Sequence, residues 1–181
     1  MIFGVPEVDA RVIARLPENL HYVGEPNAWV RITRPGQRLH SFLEGPAFGP
    51  DGALYLVDVP YGRIFRLSPD FSDWRLALSY DGEPHGLAFA ADGQLIATDY
   101  RHGLMLIDLA AGDAKPLCNR FNTENFRGLS DLAIDRDGSI WFTDSGRTSL
   151  SDPTGRLFRL DADQSLRCVL DNIPYPNGIA F

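Results

Sequence analysis

Lysine is almost missing from this chain: Lys115 is the only one among 17 basic residues, set against 24 Asp and Glu for a formal net charge of −7. The arginines are scattered singly, with no basic stripe that would release counterions along a phosphate backbone. Nucleic acid and acidic membrane surfaces are therefore not expected partners. Cysteine is nearly as scarce. Cys118 and Cys168 fit neither a CxxC zinc pattern nor a disulfide-dense scaffold, and they read as reduced packing residues. No run of about 18 apolar residues occurs, which excludes a transmembrane helix. The N-terminal stretch MIFGVPEVDARVIARL is interrupted by Glu7, Asp9 and Arg11 where a signal peptide needs unbroken apolar sequence, so a cytoplasmic location is expected. What remains is an ordinary balance, 44% hydrophobic and 23% charged over 181 residues. That suits one domain, or one piece of a larger one, able to bury a real core.

The chain repeats itself. EGPAFGPDGALYLVD from Glu44, PHGLAFAADGQLIATD from Pro84 and LSDLAIDRDGSIWFTD from Leu129 align without gaps, and PNGIAF from Pro176 begins a fourth copy. Asp-Gly pairs stand at Asp51-Gly52, Asp92-Gly93 and Asp137-Gly138, so the spacings are 41 (51 to 92) and 45 (92 to 137) residues. Asp-Gly between two apolar runs is the strongest short-range signal for a β-hairpin. One face of the first strand carries Pro46, Leu87, Leu132 and Ile179, then Phe48, Phe89, Ile134 and Phe181; the other carries Ala47, Ala88, Ala133 and Ala180. A strand apolar on both faces is covered on both, and the alanine side lets a neighbouring sheet come close. A third strand follows Gly62, Gly103 and Gly155, and a weaker fourth follows Trp74 and Ser165.

Four short antiparallel strands in each 40-odd residues are the unit of a β-propeller, so the fold class expected is all-β. The blades would run over about 44–83, 84–127 and 128–175, with a stub at 176–181 and an N-terminal segment at 1–43. Within that segment one short helix is expected near Ala10–Leu16, before Pro17, and one or two closing strands over residues 20–33. Propellers close rings of about 4–8 blades, so three blades and the first strand of a fourth read as the front of a longer protein. The outward face of the third blade is expected to be apolar, with Leu132, Ile134 and Phe142 on it, and self-association through the open edge is expected to follow.

Seven residues before each hairpin aspartate stand Glu44, His85 and Ser130, with Asn177 at the same place in the fourth copy. As the first residues of successive innermost strands they would ring one mouth of the central channel. Glu, Ser and Asn offer oxygen, the ligand set of a hard cation such as Ca²⁺, whereas zinc would want more His or Cys than His85 alone. The alternative is that they satisfy strand ends and water. Seven residues after each hairpin aspartate stand Asp58, Asp99 and Asp144, whose presence in every blade reads as turn capping. Tyr100, Arg101 and His102 form a loop beside His85.

At FLEGPAF, VPYGRIFRLS, EPHGLAF, TDYRHGL, FRGLSDLAIDRDGSIWFTD, DPTGRLFRL and IPYPNGIAF, in that order, the chain resembles the SMP-30/gluconolactonase/LRE family, and within it the microbial gluconolactonase-like branch. The resemblance runs from Phe42 to Phe181. It implies a six-bladed propeller, one divalent metal (commonly Ca²⁺) in the channel, and hydrolysis of lactones or related esters. The family's metal-binding glutamate matches Glu44 and its metal-binding asparagine matches Asn177. A further asparagine near metal and substrate meets Ser130 instead, a weaker neutral ligand. Asp131 matches the aspartate beside it and would support the ligands from behind. The family's metal-binding aspartate comes from a later blade, beyond Phe181. His85, where relatives have Asn or His, is the candidate base, and Tyr100 and Arg101 with Ser130 are candidate substrate contacts.

The implied reaction is metal-polarised attack of water on a sugar lactone, of reduced activity in this chain alone. No serine lies in a GxSxG elbow, which argues against a covalent serine route. Two other readings remain open. One is a non-catalytic NHL-like propeller that binds a partner, for which a polar ring at Glu44 and Asn177 is unneeded. The other keeps the metal and takes an aryl ester or organophosphate.

Overall fold

A computed structural model describes residues 8–181. Three four-stranded antiparallel sheets follow one another along the chain, each meandering in sequence order. The first holds β1 (Leu43–Phe48), β2 (Leu54–Asp58), β3 (Arg63–Leu67) and β4 (Trp74–Ser79). The second holds β5 (Pro84–Phe89), β6 (Leu95–Asp99), β7 (Gly103–Asp108) and β8 (Asp113–Cys118). A small hairpin of β9 (Arg120–Phe121) and β10 (Glu124–Asn125) precedes the third sheet. That sheet holds β11 (Leu129–Ile134), β12 (Ile140–Asp144), β13 (Gly155–Leu160) and β14 (Leu166–Ile173). The innermost strands β1, β5 and β11 are neighbours in space, as in successive blades of a propeller.

The repeated Asp-Gly builds the first hairpin of each blade by one device. Asp51, Asp92 and Asp137 each accept a hydrogen bond from the backbone two residues on, at Ala53, Gln94 and Ser139. Gly52, Gly93 and Gly138 take positive φ of 74°, 87° and 83°, which a Cβ would resist. The outermost strand of the second blade, β8, carries too little apolar sequence to stand out. Its Pro116 donates no hydrogen bond, which an outer strand tolerates because its far edge has no ladder to complete.

Two apolar layers separate the blades. Val57, Ile64 and Leu78 of the first blade meet Leu87, Leu95 and Met105 of the second. Ile96 and Leu104 of the second meet Leu132, Phe142 and Phe158 of the third. The larger columns of β5 and β11 thus face the preceding blade, and Ala47 and Ala88 face the next. This corrects the outward face expected of the third blade. Leu132 and Phe142 are buried and Ile134 packs on the same layer. The outward side carries the alternate residues, with Trp141 under the Arg159 guanidinium and 6.1 Å from the Phe181 ring.

The N-terminal segment differs from both expectations. No helix forms near Ala10–Leu16. Residues 13–16 instead share a cleft with Leu43, Leu54, Leu56 and Trp74 on the outer side of the first blade. Nor do residues 20–33 form strands: Ala28–Thr33 is the single α-helix, α1, among the described residues. A helix this short needs anchoring, because nucleation alone is unfavourable. Asn27 supplies it, accepting from Val30 N at 3.0 Å and donating its amide to the Pro60 carbonyl, while Val30 is fully buried. The Ala10–Leu16 segment has no such cap. Residues 176–181 lie beside β11 without a ladder of their own, held by side chains described below.

Candidate active site

The four polar residues of the repeated position come together. Glu44, His85, Ser130 and Asn177 line one cleft of about 500 Å³ with Asp131. His85 Nδ1 lies 3.2 Å from Glu44 Oε2, and the Ser130 hydroxyl donates to Asn177 Oδ1 at 2.6 Å. His85 Nε2 is buried with no hydrogen-bond partner in the protein.

Backbone irregularity aims these side chains. Each innermost strand breaks register where its site residue stands: between Glu44 and Ala47, between Pro84 and Gly86, and between Leu129 and Leu132. Bulges of this kind re-aim a side chain out of the pleat. Close approach of the strands then requires glycine. A Cβ on Gly45, whose φ is +53°, would lie 2.2 Å from the His85 carbonyl oxygen, and one on Gly86 would lie 2.7 Å from Asp131 Oδ1.

Two sets of buried groups hold the backbone around the site residues. Asp58, Asp99 and Asp144 are wholly buried. They accept backbone hydrogen bonds from Phe42, Glu83 and Gly128, each two residues before a site residue. Asp58 and Asp144 also hold Arg63 and Arg156. Burial raises the Asp58 carboxyl above its usual value, opposed by the Phe42 amide and Arg63. Thr98 accepts from Gly86 N at 2.8 Å and donates to the Ser130 carbonyl at 2.7 Å. Thr143 repeats this one blade on, accepting from Asp131 N at 3.0 Å and donating to the Asn177 carbonyl at 2.7 Å. Asp131 Oδ2 accepts from Ile179 N at 3.0 Å, so this carboxylate holds the segment that carries Asn177. The threonine bridges were missed at the level of sequence. Their signal is the column Val57-Asp58, Thr98-Asp99, Thr143-Asp144, where a hydroxyl precedes the clip in two of three blades.

A second cleft, about 470 Å³, opens on the other side of His85 and is roofed by Trp29 and Ile32 of α1. Tyr100 lines it, its ring 5.9 Å from that of His85. Arg101 does not join it. Its guanidinium is paired with Asp81 at 2.5 Å and it lines a neighbouring cleft. Arg147, Thr148 and Tyr175, which the repeat did not mark, complete the wall.

The donor set suits a hard cation: a carboxylate, an amide carbonyl and a hydroxyl oxygen face one cleft, and sulfur is absent from it. Among the described residues no cluster of three or more His, Cys, Asp or Glu could hold a metal ion.

Residues 42–181 match the SMP-30/gluconolactonase/LRE-like region, and the chain belongs to that family. It is 26% identical over 160 residues to lactonase drp35 of Staphylococcus aureus (strain MW2), covering 84% of this chain and 47% of that protein. The drp35 lactonase of Staphylococcus epidermidis (strain ATCC 12228 / FDA PCI 1200) is 28% identical over the same shares. The fold is similar to XC5397 from Xanthomonas campestris, a gluconolactonase, with TM-score 0.70 and 28% identity over 78% of this chain and 51% of that one. Virginiamycin B lyase from Staphylococcus aureus shares the fold at TM-score 0.61 and 18% identity, over 80% of this chain and 47% of that one. The chain spans about half the length of the relatives it matches.

Proposed function

We propose that this chain takes part in hydrolysis of a lactone by water, in the cleft where Glu44, His85, Ser130 and Asn177 meet. The observation that supports the reading is their convergence from four repeats, in a chain of this family. Glu44 and Asn177 would hold a divalent cation, Ca²⁺ by the hardness of their oxygens. When bound, that cation supplies Lewis-acid polarisation of the lactone carbonyl.

The remaining work falls to the chain's own groups. Glu44 orients the His85 ring through Nδ1, leaving Nε2 as the nitrogen able to take a proton from attacking water. Ser130 directs its hydroxyl at Asn177 and so fixes the amide plane. Ser130 has no base beside it, and the route runs by direct attack of water.

A pH-stat assay of the purified chain on a panel of sugar and alkyl lactones, aryl esters and phosphotriesters, with added Ca²⁺ or chelator, tests this. Lactone turnover that chelator abolishes and Ca²⁺ restores is expected. Turnover of phosphotriesters alone, or stoichiometric binding of no cation and turnover of nothing, overturns it; the last result fits a binding module.

A further inference from the structure

The cleft under α1 has one chemical feature that water attack on a bare sugar lactone does not use. Arg63, Arg66, Arg101 and Arg156 each hold a carboxylate. The exposed Arg147 lines the cleft and is in no ion pair among the described residues. Its neighbour there is Tyr100, whose hydroxyl burial makes harder to ionise, with the Arg147 guanidinium acting in the opposite sense. Trp29 and the 61% exposed Ile32 line the same cleft as this cation and His85. Glu83 is the one carboxylate in the wall; burial raises it above its usual range, with Arg101 acting in the opposite sense. A planar apolar side chain and a guanidinium outside any ion pair, lining one cleft, suit a flat group bearing an anion.

We propose that this cleft selects substrates that carry a carboxylate, with Arg147 binding the anion and Trp29, Ile32 and Tyr100 holding the flat or apolar body beside it. The substrate class is then a carboxylated lactone whose ring sits at His85. Only the lactone part rests on the function proposed above; the anion site stands on the cleft itself.

Benzoate and benzamide serve as probes, since they share shape and differ in charge. Titration calorimetry on the whole chain is expected to give benzoate at least tenfold tighter binding than benzamide. Arg147→Ala should bring the two within about twofold, and Arg147→Lys should recover part of the difference, because an ammonium keeps the charge but not the fork. Ile32→Ala should weaken both probes alike. Both side chains are exposed, and circular dichroism confirms that the variants fold. Hydrolysis of one lactone with and without a carboxylate substituent should show Arg147→Ala raising KM for the charged substrate alone. An unchanged benzoate-to-benzamide ratio in Arg147→Ala, or equal binding of the two by the unaltered chain, overturns the proposal. An Arg147-dependent ratio in a chain that opens no lactone upholds the anion site and counts against the lactonase reading.

Discussion

The Thr98 hydroxyl donates to the carbonyl oxygen of Ser130 at 2.7 Å, so the second strand of one blade grips the innermost strand of the next at its site residue. The Thr98 hydroxyl oxygen in turn accepts from Gly86 N, immediately after His85. One buried side chain therefore sets the spacing between two site residues on different blades. Thr143 does the same between Asp131 and Asn177.

Thr98→Val keeps the shape and removes both bonds, leaving a buried N–H and C=O without partners. A loss of about 1–3 kcal/mol is expected, read by urea denaturation. Lactone turnover should fall with it as Ser130 shifts. Unchanged stability would show that the strands hold their spacing by packing alone.

Buried and exposed carboxylates of the repeat should differ sharply. Asp144 pairs with Arg156 at 2.6 Å with side chains 0% and 8% exposed, whereas Asp137 pairs with Arg159 at 2.8 Å with side chains 53% and 26% exposed. Asp144→Ala removes the main partner of a buried guanidinium, leaving it Glu124 at 3.4 Å, and should cost about 3 kcal/mol. Asp137→Ala should lose far less from its ion pair, which solvent screens. Similar denaturation midpoints for the two variants would contradict this assignment.

Cation binding should separate charge from dipole. Glu44→Gln is expected to weaken Ca²⁺ at least tenfold, about 1.4 kcal/mol, and Ser130→Ala by much less, because only the carboxylate brings a full charge. Calorimetry on both variants measures it, and equal losses would remove Glu44 as the principal ligand.

Acid should destabilise the chain through its turns. Hydrogen bonds from Ser68, then Ser72, hold Asp70 at about 2, below its ordinary 3.8. Ser139 lowers Asp137, and Ser165 lowers Asp163. A carboxyl depressed in the folded state binds fewer protons there than when unfolded, so its contribution is complete above about pH 4. It is lost as pH falls toward 2. Melting temperatures should therefore decline over that interval, and Asp70→Asn should flatten part of the decline. A melting temperature independent of pH between 4 and 2 would be inconsistent with these shifts.

Much of this was legible because a propeller repeats. Position in the repeat placed Glu44, His85, Ser130 and Asn177 at one cleft although they lie 41 or more residues apart (44 to 85). Arg101 does not share the cleft that its neighbour in sequence, Tyr100, lines, because Asp81 draws the guanidinium away. The N-terminal segment defeated periodicity for a related reason. Ala10–Leu16 has helical spacing but no cap, while Asn27 caps α1 and reaches the Pro60 carbonyl, a partner 33 residues away.

The sequence by itself determined the blade: Asp-Gly turns, alternating apolar columns and glycines at close approaches are local requirements of backbone geometry. It also set Glu44, Ser130 and Asn177, which carry oxygen, at one repeated position with His85. Tertiary structure alone decided which way each blade faces, for Leu132 and Phe142 could satisfy either side until the alanine column let the next blade approach. It also decided what lies beside His85. Trp29 and Arg147 share no repeat position with it, and only the packing of α1 and the third-blade loop over the channel mouth brings their chemistry to the same cleft.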